Sequence, residues 1–223
     1  MPIGDLIVGI GLSAAAFKAL RRFCDGIETD DGDTHLGDSN PAARLGPGRS
    51  PMRPEKVEVH SLEDRIERIR KFIREGREDP DVREFVMEVV NRKCGDKWCI
   101  EEKDHDAEVI AVFDAVRSQV RYVRDVVSAD TYSAAKHTLR LQGGDCDDGA
   151  IVLGSTLGAI GYPVKLRVIW SRGSDDWNHI YLLVAIPPEG DSKWVPLDAS
   201  VNKPAGWEVP ASEVVKFKDF EVD

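Results

Sequence analysis

The sequence predicts an α+β fold, with a helical first half followed by one buried helix and an antiparallel sheet. Three observations carry this. Apolar residues recur at helical spacing from Ser61 to Val127. After Gly143-Gly144 comes a short apolar helix, ended by Gly161 with Pro163 beyond it. Three strand-like runs then follow as a meander, Val164 to Trp170, Asn178 to Ile186 and Lys193 to Ala199.

The elements in chain order start with the most apolar stretch, Ile3 to Leu20, interrupted by Asp5 and Lys18 and followed by Arg21-Arg22. A secretory signal places basic residues before its apolar core, and here they come after. Residues 1–24 therefore read as an apolar helix. It docks on a protein assembly, lies on a membrane surface, or packs on its own domain. Residues 25–60 read as a flexible linker, rich in Asp, Gly, Pro, Ser and Asn and poor in apolar residues. Asp30, Asp31 and Asp33 resemble the start of a calcium loop, but the glycine and closing glutamate are out of place.

The domain proper is expected over 61–223. Ser61 is a good N-cap for a helix bearing Leu62, Ile66, Ile69 and Ile73, with Gly76 as its closing residue. A second helix is expected over Asp81 to Arg92, and a third over about Asp106 to Val127 with Val109, Phe113, Val116, Val120 and Val123 on one face. Trp207 and Phe217 suggest that the tail packs back on the domain.

Composition narrows the function. The 223 residues suit one domain, or one domain plus an extension. Apolar residues at 42% and charged residues at 31% exclude collagen-like and wholly disordered chains. The net charge of -10 argues against nucleic acid as a main partner. No apolar run reaches the roughly 18 uncharged residues of a membrane span. The four cysteines, Cys24, Cys94, Cys99 and Cys146, are too scattered for a disulfide scaffold. Cys94 and Cys99 read as two free thiols beside a turn, with a local disulfide as the alternative. No further ligands follow to complete a zinc site.

The chemistry concentrates at Cys146, His179 and Asp198. Cys146 opens a helix and shares a face with Ala150, Leu153 and Leu157, so its thiol is expected to point toward the sheet. Backbone N–H groups and the positive helix end would favour the thiolate and could hold an oxyanion. Flanking Asp145, Asp147 and Asp148 act against that charge. If Ile186 and Asp191 close a hairpin, His179 and Asp198 lie directly opposite each other, with Cβ atoms about 5 Å apart. A one-residue slip would separate them onto opposite faces. Taken singly, the cysteine could be a small core residue, the histidine a surface residue and Asp198 a turn former. Together they suit nucleophilic acyl transfer, with His179 moving the proton.

From about Asp106 to Ser200, a little under half the chain, the sequence resembles the transglutaminase-like superfamily of papain-type cysteine enzymes. The motifs are Arg121-Tyr122 with Asp125, Thr138-Leu139, and Gly144-Asp145-Cys146-Asp147-Asp148. They continue through Gly161-Tyr162-Pro163-Val164, Asn178-His179-Ile180-Tyr181 and Trp194-Val195-Pro196-Leu197-Asp198. The variant looks most like short members from bacterial, prophage and phage genomes. The resemblance implies a transglutaminase-like (papain-like) fold with a catalytic core over about 106–200. It implies Cys146, His179 and Asp198 as catalytic residues, and a thiol-dependent peptidase, amidase or transamidase acting on a protein or peptide.

Hydrolysis is the expected outcome, because excluding water needs a lid that this chain has little material to build. The rival classes are a structural or adaptor part of a phage virion or tail, and peptidoglycan cross-bridge hydrolysis or transamidation. Gln142, Tyr122 and Trp177 are the oxyanion and cleft candidates. Tyr122 has a core reading beside that one, and the 171–176 loop next to Trp177 could be an ordinary strand connection. No cofactor is required. Some bacterial relatives bind calcium beside the cysteine, which makes Asp145, Asp147 and Asp148 a calcium candidate; their plainer role is to complement the helix dipole. A cytoplasmic or virion-associated location is the matching expectation.

Overall fold

The computed structural model describes residues 55–56, 61–123 and 131–222. All belong to one compact unit, Asp38–Asp223. The expected helix over 1–24, most of the 25–60 linker, Cys24 and Asp125 lie outside the described residues. Within the expected linker, β1 (Glu55–Lys56) pairs antiparallel with β5 (Thr131–Tyr132).

Among the described residues, four helices pack around a fifth. Helix α1 (Leu62–Glu78) is capped by Ser61, whose hydroxyl accepts from the Asp64 N–H at 3.1 Å. It runs past Gly76, which is buried and does not close it. Helix α2 (Pro80–Val90) starts on an Asp79 cap with proline in the first turn, where its missing N–H costs nothing. Helix α3 (His105–Gln119) is shorter than expected. Its chain turns extended at Val120, and β4 (Arg121–Tyr122) pairs parallel with β6 (Gly143–Gly144). Val120 is buried as expected, whereas Val123 is exposed. A parallel partner waiting at Gly143-Gly144 thus overrides the helical spacing.

Helix α4 (Ala135–Leu141) leads into β6 and then into α5 (Cys146–Ala159). Every residue from Asp147 to Leu157 is buried. This explains the apolar and small residues from Gly149 to Leu157. The helix packs on α1, α2, α3 and α4 as well as on the sheet, so the expected single apolar face was too narrow a reading.

The sheet order is β10-β7-β8-β9, antiparallel throughout, from β7 (Val164–Ser171), β8 (His179–Ile186), β9 (Lys193–Leu197) and β10 (Val214–Glu221). The expected meander is present. The tail that was expected only to pack back adds a fourth strand at the β7 edge. Along β8, Ile180, Leu182 and Val184 enter the core beneath the helices, while Tyr181 and Leu183 join Ile169 in a smaller cluster on the other face. Burial on both faces accounts for the unbroken apolar run of this strand.

Cys94 and Cys99 form a disulfide, Cα–Cα 5.0 Å, in place of the two free thiols expected. The antiparallel pairing of β2 (Lys93–Cys94) with β3 (Lys97–Trp98) around Gly95, at φ 68°, brings the two sulfurs together. Among the described residues, no helix is long and apolar enough to cross a membrane.

Candidate active site

The start of α5 is built by its own acidic residues. Asp145 is the N-cap, and its carboxylate accepts from the N–H groups of Asp147 (2.9 Å) and Asp148 (3.1 Å). Asp148 completes a capping box by accepting from the Asp145 N–H, and also accepts from the Ser133 N–H at 3.0 Å. The helix-end donors expected to stabilise a thiolate are therefore already taken at 147 and 148.

Cys146 is a half-buried free thiol. Its sulfur receives the backbone N–H of Ile180, so it meets β8 at the residue next to His179, and its S–H lies 4.0 Å from Asp147 Oδ1. Burial, then the charges of Asp147 and Asp145, push the thiol well above its ordinary value. Arg65 and the Ile180 N–H act the other way without prevailing. Of the opposing influences expected at this thiol, the flanking Asp147 and Asp145 act as anticipated, and burial adds to them.

His179 Nε2 and Asp198 Oδ2 are 2.7 Å apart. Asp198 is 5% exposed and is pinned by Ser200, whose N–H donates at 3.0 Å and hydroxyl at 2.6 Å. Burial alone would raise the Asp198 carboxyl. The His179 hydrogen bond and charge, with the two Ser200 bonds, outweigh it and hold the carboxyl below its ordinary value.

The pair forms in a register other than the one expected. Ile186 faces Lys193, and Leu182 faces Leu197. The loop is two residues longer than expected, closed by the Ser192 hydroxyl donating to the Pro187 carbonyl at 2.7 Å. Continued, this register sets Asp198 opposite Tyr181 rather than His179. A slip of two residues preserves the face, and a diagonal pair is still within reach of these side chains.

Tyr122 is exposed, so its core reading fails. Its strand pairs with Gly144, two residues before Cys146. Trp177 packs against the core edge-on to Trp170, at 6.2 Å between ring centroids. Gln142 caps α4 in the left-handed region at φ 55°, and its side-chain amide donates to Gln119 Oε1 at 3.4 Å. It is engaged there rather than offered to an oxyanion.

The three carboxylates beside Cys146 do not fit a calcium ion. Asp145 and Asp148 accept backbone N–H groups, and Asp147 makes a two-point pair with Arg65 at 2.7 and 3.2 Å. Among the described residues no group of three acidic, His or Cys side chains could hold a metal. Arg65 and Ser200 were missed by sequence reading. Ser200 had a readable signal, an Asp-x-Ser turn, whereas Arg65 looked like any solvated helix-face arginine.

Asp148 supplies a pH signature. Burial, then the charge of Asp145, pushes its carboxyl up to about 8 against the hydrogen bonds from Ser133 and Asp145. In the unfolded chain it titrates near 4. Between the two values the folded state holds the extra proton, so this group removes stability as pH rises through that window. The Tm of the wild-type protein is expected to fall more between pH 5 and 8 than that of Asp148→Asn. Parallel curves for the two proteins would contradict the assignment.

Residues 92–199 match the model of the transglutaminase-like superfamily. No curated protein matches the chain. Among solved structures it is similar to a candidate cysteine protease from Cytophaga hutchinsonii, at 16% identity and TM-score 0.41 over 62% of this chain and 45% of that one. It is also similar to a candidate protease from Parabacteroides distasonis, at 12% identity and TM-score 0.43 over 71% of this chain and 32% of that one. LapG from Legionella pneumophila, EGTA-treated, matches at 19% identity and TM-score 0.39 over 67% of this chain and 79% of that one. The chain thus spans less than half the length of the first two proteins. The matched segment contains Cys146, His179 and Asp198, so the match to the transglutaminase-like superfamily spans all three candidate residues.

Proposed function

We propose that the protein hydrolyses amide bonds through a thioester on Cys146. The observation that carries this reading is the part-buried His179–Asp198 pair, fixed at 2.7 Å beside the strand residue whose N–H meets the Cys146 sulfur. With Nε2 held by Asp198, Nδ1 is the ring nitrogen that exchanges protons. Cys146 attacks the carbonyl carbon, an S–C bond forms, and its proton passes to His179. That proton then goes to the leaving amine as the C–N bond breaks. Water attacks the thioester, gives a proton to His179 and releases the acid, and the thiol is restored. The Cys146 backbone N–H is the oxyanion donor in this scheme. The closed Cys94–Cys99 pair suits an oxidising compartment over the cytoplasm.

One observation favours a second reading, an assembly component that keeps the fold without turnover. Burial and two flanking carboxylates oppose Cys146 ionisation. Iodoacetamide labelling without reductant, resolved by peptide and pH, separates the two. An enzyme is expected to label at Cys146 near neutral pH faster than free cysteine, and to lose that advantage in His179→Ala. Labelling only at alkaline pH, with or without His179, would leave the assembly reading.

A further inference from the structure

The face of the sheet turned away from the helices carries a network that ends at the imidazole. Asp219 on β10 is the cross-strand neighbour of Arg167 on β7, and Arg167 is that of Tyr181 on β8. Arg167 binds Asp219 through Nε and a terminal nitrogen, both at 2.7 Å, and also pairs with Glu208. The Tyr181 hydroxyl donates to Glu208 at 3.0 Å. Burial and then the Glu208 charge push the phenol up, so it stays a neutral donor. The buried Tyr181 ring lies 5.9 Å from the His179 ring, tilted by 37°. Glu208 lies nine residues past the end of the family match at 199 and ten past Asp198. It therefore ties the segment after Asp198 to the strand that carries His179.

We propose that Tyr181 is a positioning residue for the His179 imidazole and that Glu208 holds it there, a role that rests on the triad reading above. An imidazole bonded only through Nε2 can still rock about that bond. A fixed aromatic neighbour on the same face restricts the ring plane and so the direction of Nδ1. Neither residue touches the reacting atoms.

The test combines NMR of the His179 ring C–H groups with Cys146 labelling by iodoacetamide at neutral pH. Tyr181→Leu is expected to remove the ring-current shift at His179 and slow labelling about ten-fold, the upper range for one aromatic contact. Tyr181→Phe and Glu208→Gln act on the same hydroxyl bond. Each is expected to slow labelling about three-fold, with the double variant no slower than either. Wild-type His179 resonances and labelling in a folded Tyr181→Leu would overturn the proposal. If that variant does not fold, the other two decide: equal, non-additive losses support it, and no loss in either overturns it. Labelling unaffected by His179→Ala would instead sink the triad reading, while the ring-current shift would still report the Tyr181 contact.

Discussion

Asp198→Asn is expected to slow acylation of Cys146 by p-nitrophenyl acetate by about a thousand-fold or more while the protein stays folded. The substitution preserves shape and leaves a carbonyl oxygen that can accept from Ser200. Only the group facing Nε2 changes character. In the proposed mechanism the Asp198 oxygen accepts from Nε2–H, which leaves Nδ1 unprotonated to take the thiol proton. An amide N–H in its place favours the other tautomer, with Nε2 bare and Nδ1 protonated. His179→Ala is expected to cost at least as much, and Cys146→Ala should abolish acylation at this residue. Acylation rates are read as nitrophenol release, with peptide mass spectrometry to confirm the residue. A loss under about ten-fold in Asp198→Asn would mean that the imidazole does not serve the thiol. The pair also has a stability signature. Its carboxyl titrates lower in the folded state, so the contribution is present above the unfolded value near 4 and is lost as pH falls through the folded one. Asp198→Asn should remove that acid-side slope from Tm.

Much of this site was legible because short-range rules wrote it. Asp145 before an apolar helix, the apolar strand run Ile180–Val184 and the turn residues around Gly190 each act within a few positions. The family motifs then fixed the order of the parts. What could not be read depended on partners distant in sequence. The length of the third helix was decided by Gly143-Gly144, which offered Arg121-Tyr122 a parallel partner. The hairpin register is a local exception: the loop runs two residues further, to Ser192, and the error was harmless only because two residues is the strand period. The balance of charge at Cys146 stayed open in the sequence for a similar reason. It needs Arg65, eighty-two positions from Asp147, and the burial of a helix on all sides. Cys94 and Cys99 were misjudged because a two-residue strand pair around a glycine leaves almost no apolar pattern to read.

Gly76 shows how far packing outweighs the local rule, and its substitution should give the largest loss of stability. As a helix residue, glycine is about 1 kcal/mol worse than alanine, so Gly76→Ala would stabilise an isolated α1. In the fold, a Cβ at Gly76 would lie 2.2 Å from Ser155 Oγ and 2.7 Å from Ser155 Cβ on α5, with Ala135 Cβ at 3.4 Å behind. Rotating the hydroxyl relieves only the first contact, because the Ser155 Cβ is fixed to the helix. The two helices must part. Overpacking of this kind costs about 3 kcal/mol, which for a domain of this size lowers Tm by about 6–12 °C. Ser155→Gly removes both atoms, and the buried Ser155 hydroxyl has no hydrogen-bond partner to lose. Gly76→Ala with Ser155→Gly should therefore recover most of the loss, a coupling that a thermal-melt double-mutant cycle measures directly. An equally stable Gly76→Ala would mean that α1 and α5 are not in contact here. The consequence reaches the site, because α1 also carries Arg65, whose pair with Asp147 sits beside the thiol. A shift of α1 that costs stability should therefore also change the pH dependence of Cys146 labelling, and the double variant should restore both together.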